Sequence, residues 1–248
     1  MSERRLLLRS VLAQARVELL LTLQQGERVL ITVIVPVLLL IFFAALKVVG
    51  AGTSRPVDFL LPGMLALAVI ATGLVSLGIA TAYERYYGVL KRLGATPLPR
   101  GGLLIAKALS IVGLEVLQVV ILVAVAAGVY GWRPAGNIGV AVLAFVLGTI
   151  AFAGLGLAMA GALRAEATLA GANALFLILL LLSGAILPLD HLPELLQGLA
   201  RVLPAAALAT ALRAALTGAS AFPGAELLVL ASWAVLTLAV AARTFQWE

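Results

Sequence analysis

The apolar run over residues 103–127 contains four polar side chains, Lys107, Ser110, Glu115 and Gln118. At 100° per residue, these side chains fall within about 140° of one another around a helix and form one polar stripe. If the run spans a bilayer, Glu115 lies about 18 Å along it, near the midplane, where a carboxylate is costly unless paired, protonated or hydrated. Two functions fit the stripe. The stripe lines a polar path through the membrane, with Glu115 contacting a substrate or titrating, or Glu115 and Gln118 form hydrogen bonds that fix helix packing.

Two more polar residues, Asn173 and Ser183, occur in the apolar run over residues 168–187 and could face the same lumen. Single small polar side chains are also tolerated inside helical bundles. The predicted path residues are therefore Glu115, Gln118, Asn173 and Ser183.

The sequence offers little for catalysis or metal binding. It has no cysteine and a single histidine, His191, which excludes a thiol nucleophile and a zinc cluster. None of the lysines Lys47, Lys91 and Lys107 follows a glycine, as the lysine of a phosphate-binding loop must. We therefore expect no catalytic residue, no metal and no cofactor on this chain.

The composition indicates a membrane protein. Of 248 residues, 63% are hydrophobic and 11% are charged, whereas soluble domains are about half apolar and about a quarter charged. This excludes a soluble enzyme, a disordered protein and a nucleic-acid-binding module. The net charge of +6 does not indicate a nucleic-acid partner, because in a membrane protein the position of the basic residues matters more than their sum.

Six apolar runs are long enough to cross a membrane, which takes about 20 residues. They are residues 29–49, 59–82, 103–127, 138–163, 168–187 and 225–242. With both termini in the cytoplasm, twelve of the 17 Lys and Arg residues lie on the inner side, as the positive-inside rule requires. We predict an all-α, multi-pass protein of the inner or plasma membrane. Its six-helix domain covers residues 29–248 and is embedded in membrane lipid.

Residues 1–28 precede these spans. On a helix, Arg5, Arg9 and Arg16 fall within about 40° of one another, and leucines and alanines cover much of the remaining surface. The pattern predicts an N-terminal helix lying along the inner leaflet. Ordinary positive-inside anchoring is the alternative.

The cytoplasmic link after the second span, residues 83–102, is longer than a connector needs to be. It predicts a helical continuation, a turn at Gly88, and a short amphipathic helix that Gly94 and Pro97 end. A short charged helix of this kind docks into a groove on a partner.

The outer link, residues 188–224, predicts a helical pair. Asp190 could cap a first helix, with Pro193 and Glu194 near its start. The apolar segment after Pro204 is too short to cross the membrane and too hydrophobic for water, which favours a re-entrant pair sheltered by the bundle.

At these positions the sequence resembles the permease subunits of ABC exporters of the ABC-2 type, which include daunorubicin-type drug-efflux permeases. Three motifs carry the resemblance in order along six spans: KRLGATPLPRGGLLIAKAL (residues 91–109), SGAILPLDHLPELLQGLARVLPAAALATALR (183–213) and RTFQWE (243–248).

The resemblance implies that a separate P-loop ATPase subunit binds ATP and Mg²⁺. It further implies that the link after the second span is a coupling helix, which inserts into that subunit. It also implies a dimer with a second copy or a sister permease, and export of a lipophilic drug, antibiotic or lipid-like substrate (multidrug efflux). The coupling residues would be Glu84, Arg85, Tyr87, Gly88, Leu90, Lys91, Arg92, Leu93, Gly94 and Pro97. Two other classes stay open: an ion- or proton-coupled secondary carrier that uses Glu115, and a membrane-embedded scaffold.

Overall fold

The computed structural model describes residues 3–24, 26–46, 55–94, 100–218 and 222–244, and no β-strand occurs within these ranges. The all-α architecture expected from the sequence is confirmed. The helices are α1 (Glu3–Gln24), α2 (Gly26–Leu46), α3 (Pro56–Ile70), α4 (Leu77–Tyr86), α5 (Val89–Gly94), α6 (Arg100–Tyr130), α7 (Ile138–Ala162), α8 (Ala165–Leu182), α9 (Glu194–Val202), α10 (Pro204–Thr217) and α11 (Gly224–Thr244).

The helix at the centre of the bundle is the continuous span Pro56–Tyr86, made of α3, a π-helical stretch at Ala71–Ser76, and α4. Pro56 begins the span at a position where its missing N–H costs nothing. α2, α6, α7 and α10 pack around α3. The central helix is therefore shielded by its neighbours, and it ends at the link that the sequence analysis singled out.

The described residues contain five helices long and apolar enough to span a membrane, or six if the bent α9–α10 pair is one span. The five correspond to the second to sixth predicted runs. α2 occupies the place of the first, with an apolar portion over Thr32–Leu46. The fifth run was predicted to extend to residue 187, which is wrong. α8 ends at Leu182 because the chain turns at Gly184, whose φ is +64°.

Close contact between α7 and its neighbours depends on small residues. A Cβ atom at Gly156 would lie 2.5 Å from the carbonyl oxygen of Gly73 in the central helix. One at Gly154 would lie 2.5 Å from Oγ1 of Thr237 on α11. The missing side chains let the backbones approach, which is how membrane helices gain packing contacts.

The outer link forms a helical pair, as the sequence predicts. α9 and α10 meet at an angle of 81°, and Pro204, the first residue of α10, marks the break. α10 is buried against α3 and α7. The expected cap was wrong: Asp190 lies in a separate 3-10 turn, Leu189–His191, and α9 begins only after the extended Pro193.

The N-terminal helix α1 packs along α6. Val11 and Ala15 are buried on this contact, whereas Arg9 and Arg16 are exposed on other faces of the helix. Large apolar side chains of α1, among them Leu12, Leu20 and Leu21, are exposed as well. The place of α1 along the inner leaflet stays a prediction.

Candidate functional site

Residues 83–94 consist of the end of α4, a turn at residues 87 and 88, and α5, and we call this segment the elbow. Its geometry depends on Gly88, which has φ +70°, a conformation that residues with a Cβ atom rarely adopt. The amide of Gly88 donates to the carbonyl of Arg85 at 3.0 Å, and its own carbonyl accepts from the amide of Arg92 at 3.3 Å. The predicted helical continuation, the glycine turn and the short helix after it are all present. Pro97 lies outside the described residues.

One leucine anchors the elbow to the rest of the protein. Leu90 is only 1% exposed and belongs to a cluster with Val11 and Ala15 of α1 and Leu103 and Ala106 of α6. Leu93 packs against the same cluster. The short helix α5 is therefore packed against both α1 and α6.

A charge cluster reinforces that anchor. The Nζ atom of Lys107, on α6, lies 2.5 Å from Oε2 of Glu84 on α4 and 3.2 Å from the carboxylate of Glu18 on α1. Lys107 is 1% exposed, so its ammonium group depends on these carboxylates. Burial raises the pKa of Glu18, the Lys107 ammonium opposes that rise, and the Glu84 carboxylate adds to it.

The cluster changes the interpretation of two predicted residues. The sequence analysis placed Lys107 on a polar stripe with Glu115, but its ammonium group contacts Glu84 of the elbow. Glu84 was assigned to contact with the ATPase, but its carboxylate faces Lys107 inside the protein. Glu84 therefore holds α4 against α6, and a direct contact with a partner stays a prediction.

Arg85, the next residue, is also directed inward. Its guanidinium donates to the carbonyl of Gly161 at 2.6 Å and to that of Leu163. These carbonyls lie at the end of α7, where the helix leaves its last carbonyl groups without intrahelical partners. Arg85 thus ties the elbow to the junction between α7 and α8.

The outer face of the elbow is aromatic and basic. The ring of Tyr87 stacks on Tyr83 with a centroid distance of 6.1 Å, and Tyr86 meets Tyr87 edge-on at 5.1 Å. Tyr86 and Tyr87 are 65% and 67% exposed. The exposed side chains of this face are Tyr86, Tyr87, Val89, Lys91 and Arg92. Aromatic and basic side chains that project from a segment with a buried anchor suit a protein partner.

Glu115 and Gln118 lie inside this one bundle. Oε2 of Glu115 accepts a hydrogen bond from Oγ1 of Thr149 on α7 at 2.7 Å, and Oε1 has no partner among the described residues. The Gln118 side chain accepts from Thr72 at 3.1 Å and donates to the carbonyl of Thr32 at 3.2 Å. These are interhelical packing contacts. A role for both residues in a translocation path stays a prediction.

Asn173 and Ser183 do not join this network. Asn173 is exposed on α8 and donates to the carbonyl of Leu169 at 2.8 Å. Ser183 is buried just beyond the end of α8, where its hydroxyl accepts from the amide of Ala185 at 3.1 Å. Its placement within the fifth span was wrong, because the helix has already ended. The structure thus does not bring the four predicted path residues together.

No group of three or more His, Asp or Glu side chains within the described ranges is arranged to hold a metal ion. The features described so far, which are apolar spans, buried polar contacts and an exposed elbow, are those of a membrane protein. Comparison with known families identifies which kind. The sequence pattern of the family described as ABC-2 type transporter matches residues 9–217.

The chain belongs to the ABC-2 transporter family. As an ABC-2 protein with five or six apolar helices, it is a multi-pass membrane permease component of an ABC transporter. The match begins in α1 and ends with α10, so it includes the elbow and the α9–α10 pair. The comparison with curated proteins gives no match.

Sequence reasoning missed two features of this ABC-2 protein: a residue outside the elbow that helps to anchor it, and two residues of its exposed face. The first is Glu18, which pairs with a lysine 89 residues away, a separation at which no periodic pattern signals contact. The second is the exposed pair Tyr86 and Val89. Here a signal existed, because tyrosines at 83, 86 and 87 recur at the three- and four-residue spacing of one helix face.

Proposed function

We propose that this chain is the permease of an ATP-driven exporter and that a separate ATPase subunit moves it through the elbow. The observation that carries the proposal is the combination at residues 83–94 of an exposed aromatic and basic face with a buried anchor. A surface that only bordered the cytoplasm would not need Leu90 buried to 1% or Lys107 held by two carboxylates.

The ATPase subunit would supply the chemistry that this chain lacks. None of its three lysines follows a glycine, so no phosphate-binding loop of the P-loop type is present. ATP and Mg²⁺ would be bound and the γ-phosphate hydrolysed on the partner. A groove with acidic and apolar side chains would complement Tyr87, Lys91 and Arg92.

Two contacts and one segment of the central helix would carry the motion into the membrane. Displacement of α5 moves Leu90 and, with it, α1 and α6. The pair between Glu84 and Lys107 keeps α4 moving with α6. The π-helical stretch Ala71–Ser76 lies between α4 and α3, and such stretches often occur at functional sites. It is the place where the central helix would bend.

Six predicted spans, half of what such exporters usually use, point to a dimer with a second copy or a sister permease. Both termini would lie in the cytoplasm. The substrate would be a lipophilic drug, an antibiotic or a lipid-like molecule moved out of the cell.

A reconstituted system tests the proposal. The chain and its candidate ATPase are placed in liposomes, and ATP hydrolysis and movement of a lipophilic dye are followed. We expect the combined substitutions Tyr87→Ala and Arg92→Glu to reduce permease-stimulated ATP hydrolysis about tenfold, because a central contact of an interface is worth at least about 1.4 kcal/mol. Arg201→Glu, on exposed α9, is the matched control. Unchanged stimulation in the elbow variant would refute the proposal.

One observation favours a second function. The buried carboxylate of Glu115 has an oxygen without a partner in the described part of the chain, which a proton-coupled carrier could use. Dye movement driven by a pH gradient in liposomes without nucleotide or ATPase would support that carrier, and movement only with ATP would support the exporter.

A further inference from the structure

A cavity of about 710 Å³ lies beside the elbow, where α4 and α11 end and α7 passes into α8. Its volume falls in the range of about 300–1,000 Å³ that is usual for small-molecule sites. Three arginines from separate parts of the chain line it, Arg85, Arg164 and Arg243, together with one acidic residue, Glu166. The lining therefore carries a net charge of +2.

Two of these arginines are available to a ligand. Arg85 is occupied, since both terminal nitrogens of its guanidinium donate to carbonyls at the end of α7. Arg164 and Arg243 are exposed, and neither has a hydrogen-bond or ion-pair partner among the described residues. Glu166 does not neutralise either of them by a direct contact. A cavity with two guanidinium groups that have no partner in the described part of the chain is suited to a bidentate anion such as a phosphate.

The position of the cavity favours a lipid headgroup as the source of such a phosphate. The helices around it are four of the apolar spans, and the cavity lies where they end: Tyr86, Ala162, Ala165 and Thr244 are terminal residues of spans. The ends of apolar spans mark the boundary of the hydrocarbon region, which is the level of the lipid headgroups. The side chain of Tyr86, aromatic with a polar tip, and that of Leu163 belong to the lining, so apolar surface for the start of an acyl chain adjoins the arginines.

We propose that this cavity binds the phosphate-bearing headgroup of an anionic phospholipid in the leaflet at this end of the bundle, with Arg164 and Arg243 as its ligands. Basic pockets between membrane helices take such headgroups. Because Arg85 joins the cavity to the elbow through the α7–α8 junction, a bound lipid would also stabilise the junction that the elbow holds.

Native mass spectrometry of the full-length chain tests the proposal. The protein in detergent is titrated with phosphatidylglycerol and, separately, with phosphatidylcholine of the same acyl chains. We expect Arg164→Gln combined with Arg243→Gln to weaken phosphatidylglycerol binding about tenfold or more, since the variant removes two of the basic side chains that attract an anionic headgroup. Phosphatidylcholine binding should not change. The matched control combines Arg133→Gln with Arg201→Gln, two exposed arginines in the links at the other end of the bundle.

Three results would overturn the proposal. Equal phosphatidylglycerol affinity in the double variant and the wild type would show that the cavity is not a lipid site. Loss of ATPase assembly in the double variant, with lipid affinity intact, would make the cavity a protein contact. Stabilisation of the wild type, but not the double variant, by millimolar inorganic phosphate, with no preference for phosphatidylglycerol over phosphatidylcholine, would assign the site to free phosphate.

Discussion

The ammonium group of Lys107 lies 2.5 Å from a carboxylate oxygen of Glu84, and the two residues stand on different helices that meet at the elbow. Lys107 is almost completely buried, whereas the side chain of Glu84 is 29% exposed. With Glu18 at 3.2 Å, the pair joins three helices through one buried charge. Through this charge cluster the elbow is bound directly to α1 and α6 of the bundle.

Lys107→Met should destabilise the protein. The substitution leaves the Glu18 and Glu84 carboxylates facing each other without their cation, which costs roughly 2 kcal/mol at this partly exposed site and lowers Tm by roughly 4–8 °C. Thermal unfolding in detergent measures the effect. Arg16→Met, on an exposed face of α1, is the control and should leave Tm unchanged.

A compensated variant separates charge from packing in this cluster. Adding Glu18→Gln and Glu84→Gln to Lys107→Met removes all three charges, and it should recover at least half of the lost Tm because no unpaired carboxylate remains. A triple variant as unstable as Lys107→Met alone would show that the loss of stability does not come from the unpaired carboxylates.

Gly88→Ala tests the turn itself. At φ +70° an alanine is strained by about 1–2 kcal/mol, although no atom lies within 4 Å of the added Cβ. We expect Gly88→Ala to lower both Tm and permease-stimulated ATP hydrolysis. Gly88→Asn should retain most of both, because asparagine tolerates this backbone conformation. If alanine performed as well as glycine, the backbone conformation would not matter for the elbow.

The elbow shows how much the sequence predicts and where it stops. Its glycine turn and short helix follow from local signals at Gly88 and residues 89–94, and apolar runs predict the spans to within a few residues. The direction of each side chain does not follow. Glu84 and Arg85 read as partner-facing charges, yet both are bound inside the protein by groups 23 and about 77 residues away. Contacts of that separation depend on the packing of helices, which no periodic pattern records.

The candidate path illustrates the same limit. A helical wheel places Lys107 on the same side of α6 as Glu115, but the structure divides the stripe between the elbow and the interior of the bundle. Ser183 was assigned to a span that ends one residue earlier, since an apolar run does not reveal the turn at Gly184.

Gly156→Ala tests the close contact between α7 and the central helix. The added Cβ would lie 2.5 Å and 2.9 Å from two backbone oxygens, those of Gly73 and Leu74, and backbone cannot move aside as a side chain can. We expect a loss of about 1–3 kcal/mol, seen as a lower Tm. Gly128→Ala on α6, where nothing lies within 4 Å, is the control and should keep or raise Tm, since alanine favours a helix. Equal Tm values for the two variants would contradict the packing account.

Substitutions at Glu115 and Thr149 distinguish packing from transport. Thr149→Val removes the donor at 2.7 Å and should cost about 1–3 kcal/mol, measured as a lower Tm. Glu115→Gln keeps an acceptor for Thr149 and should retain both Tm and ATP-driven transport. Loss of transport with an unchanged Tm in Glu115→Gln would instead place this side chain in the translocation path.

The central claim is that an ATPase subunit binds the elbow, and cross-linking tests this claim most directly. The natural chain has no cysteine, so a single Cys substitution introduces a unique thiol. Arg92→Cys places that thiol on the elbow. Leu195→Cys places it on α9, where Leu195 is 79% exposed. With a bifunctional thiol–amine reagent added to the assembled transporter, Arg92→Cys should give a covalent product with the ATPase and Leu195→Cys should give none. A product from Leu195→Cys, with none from Arg92→Cys, would contradict the account.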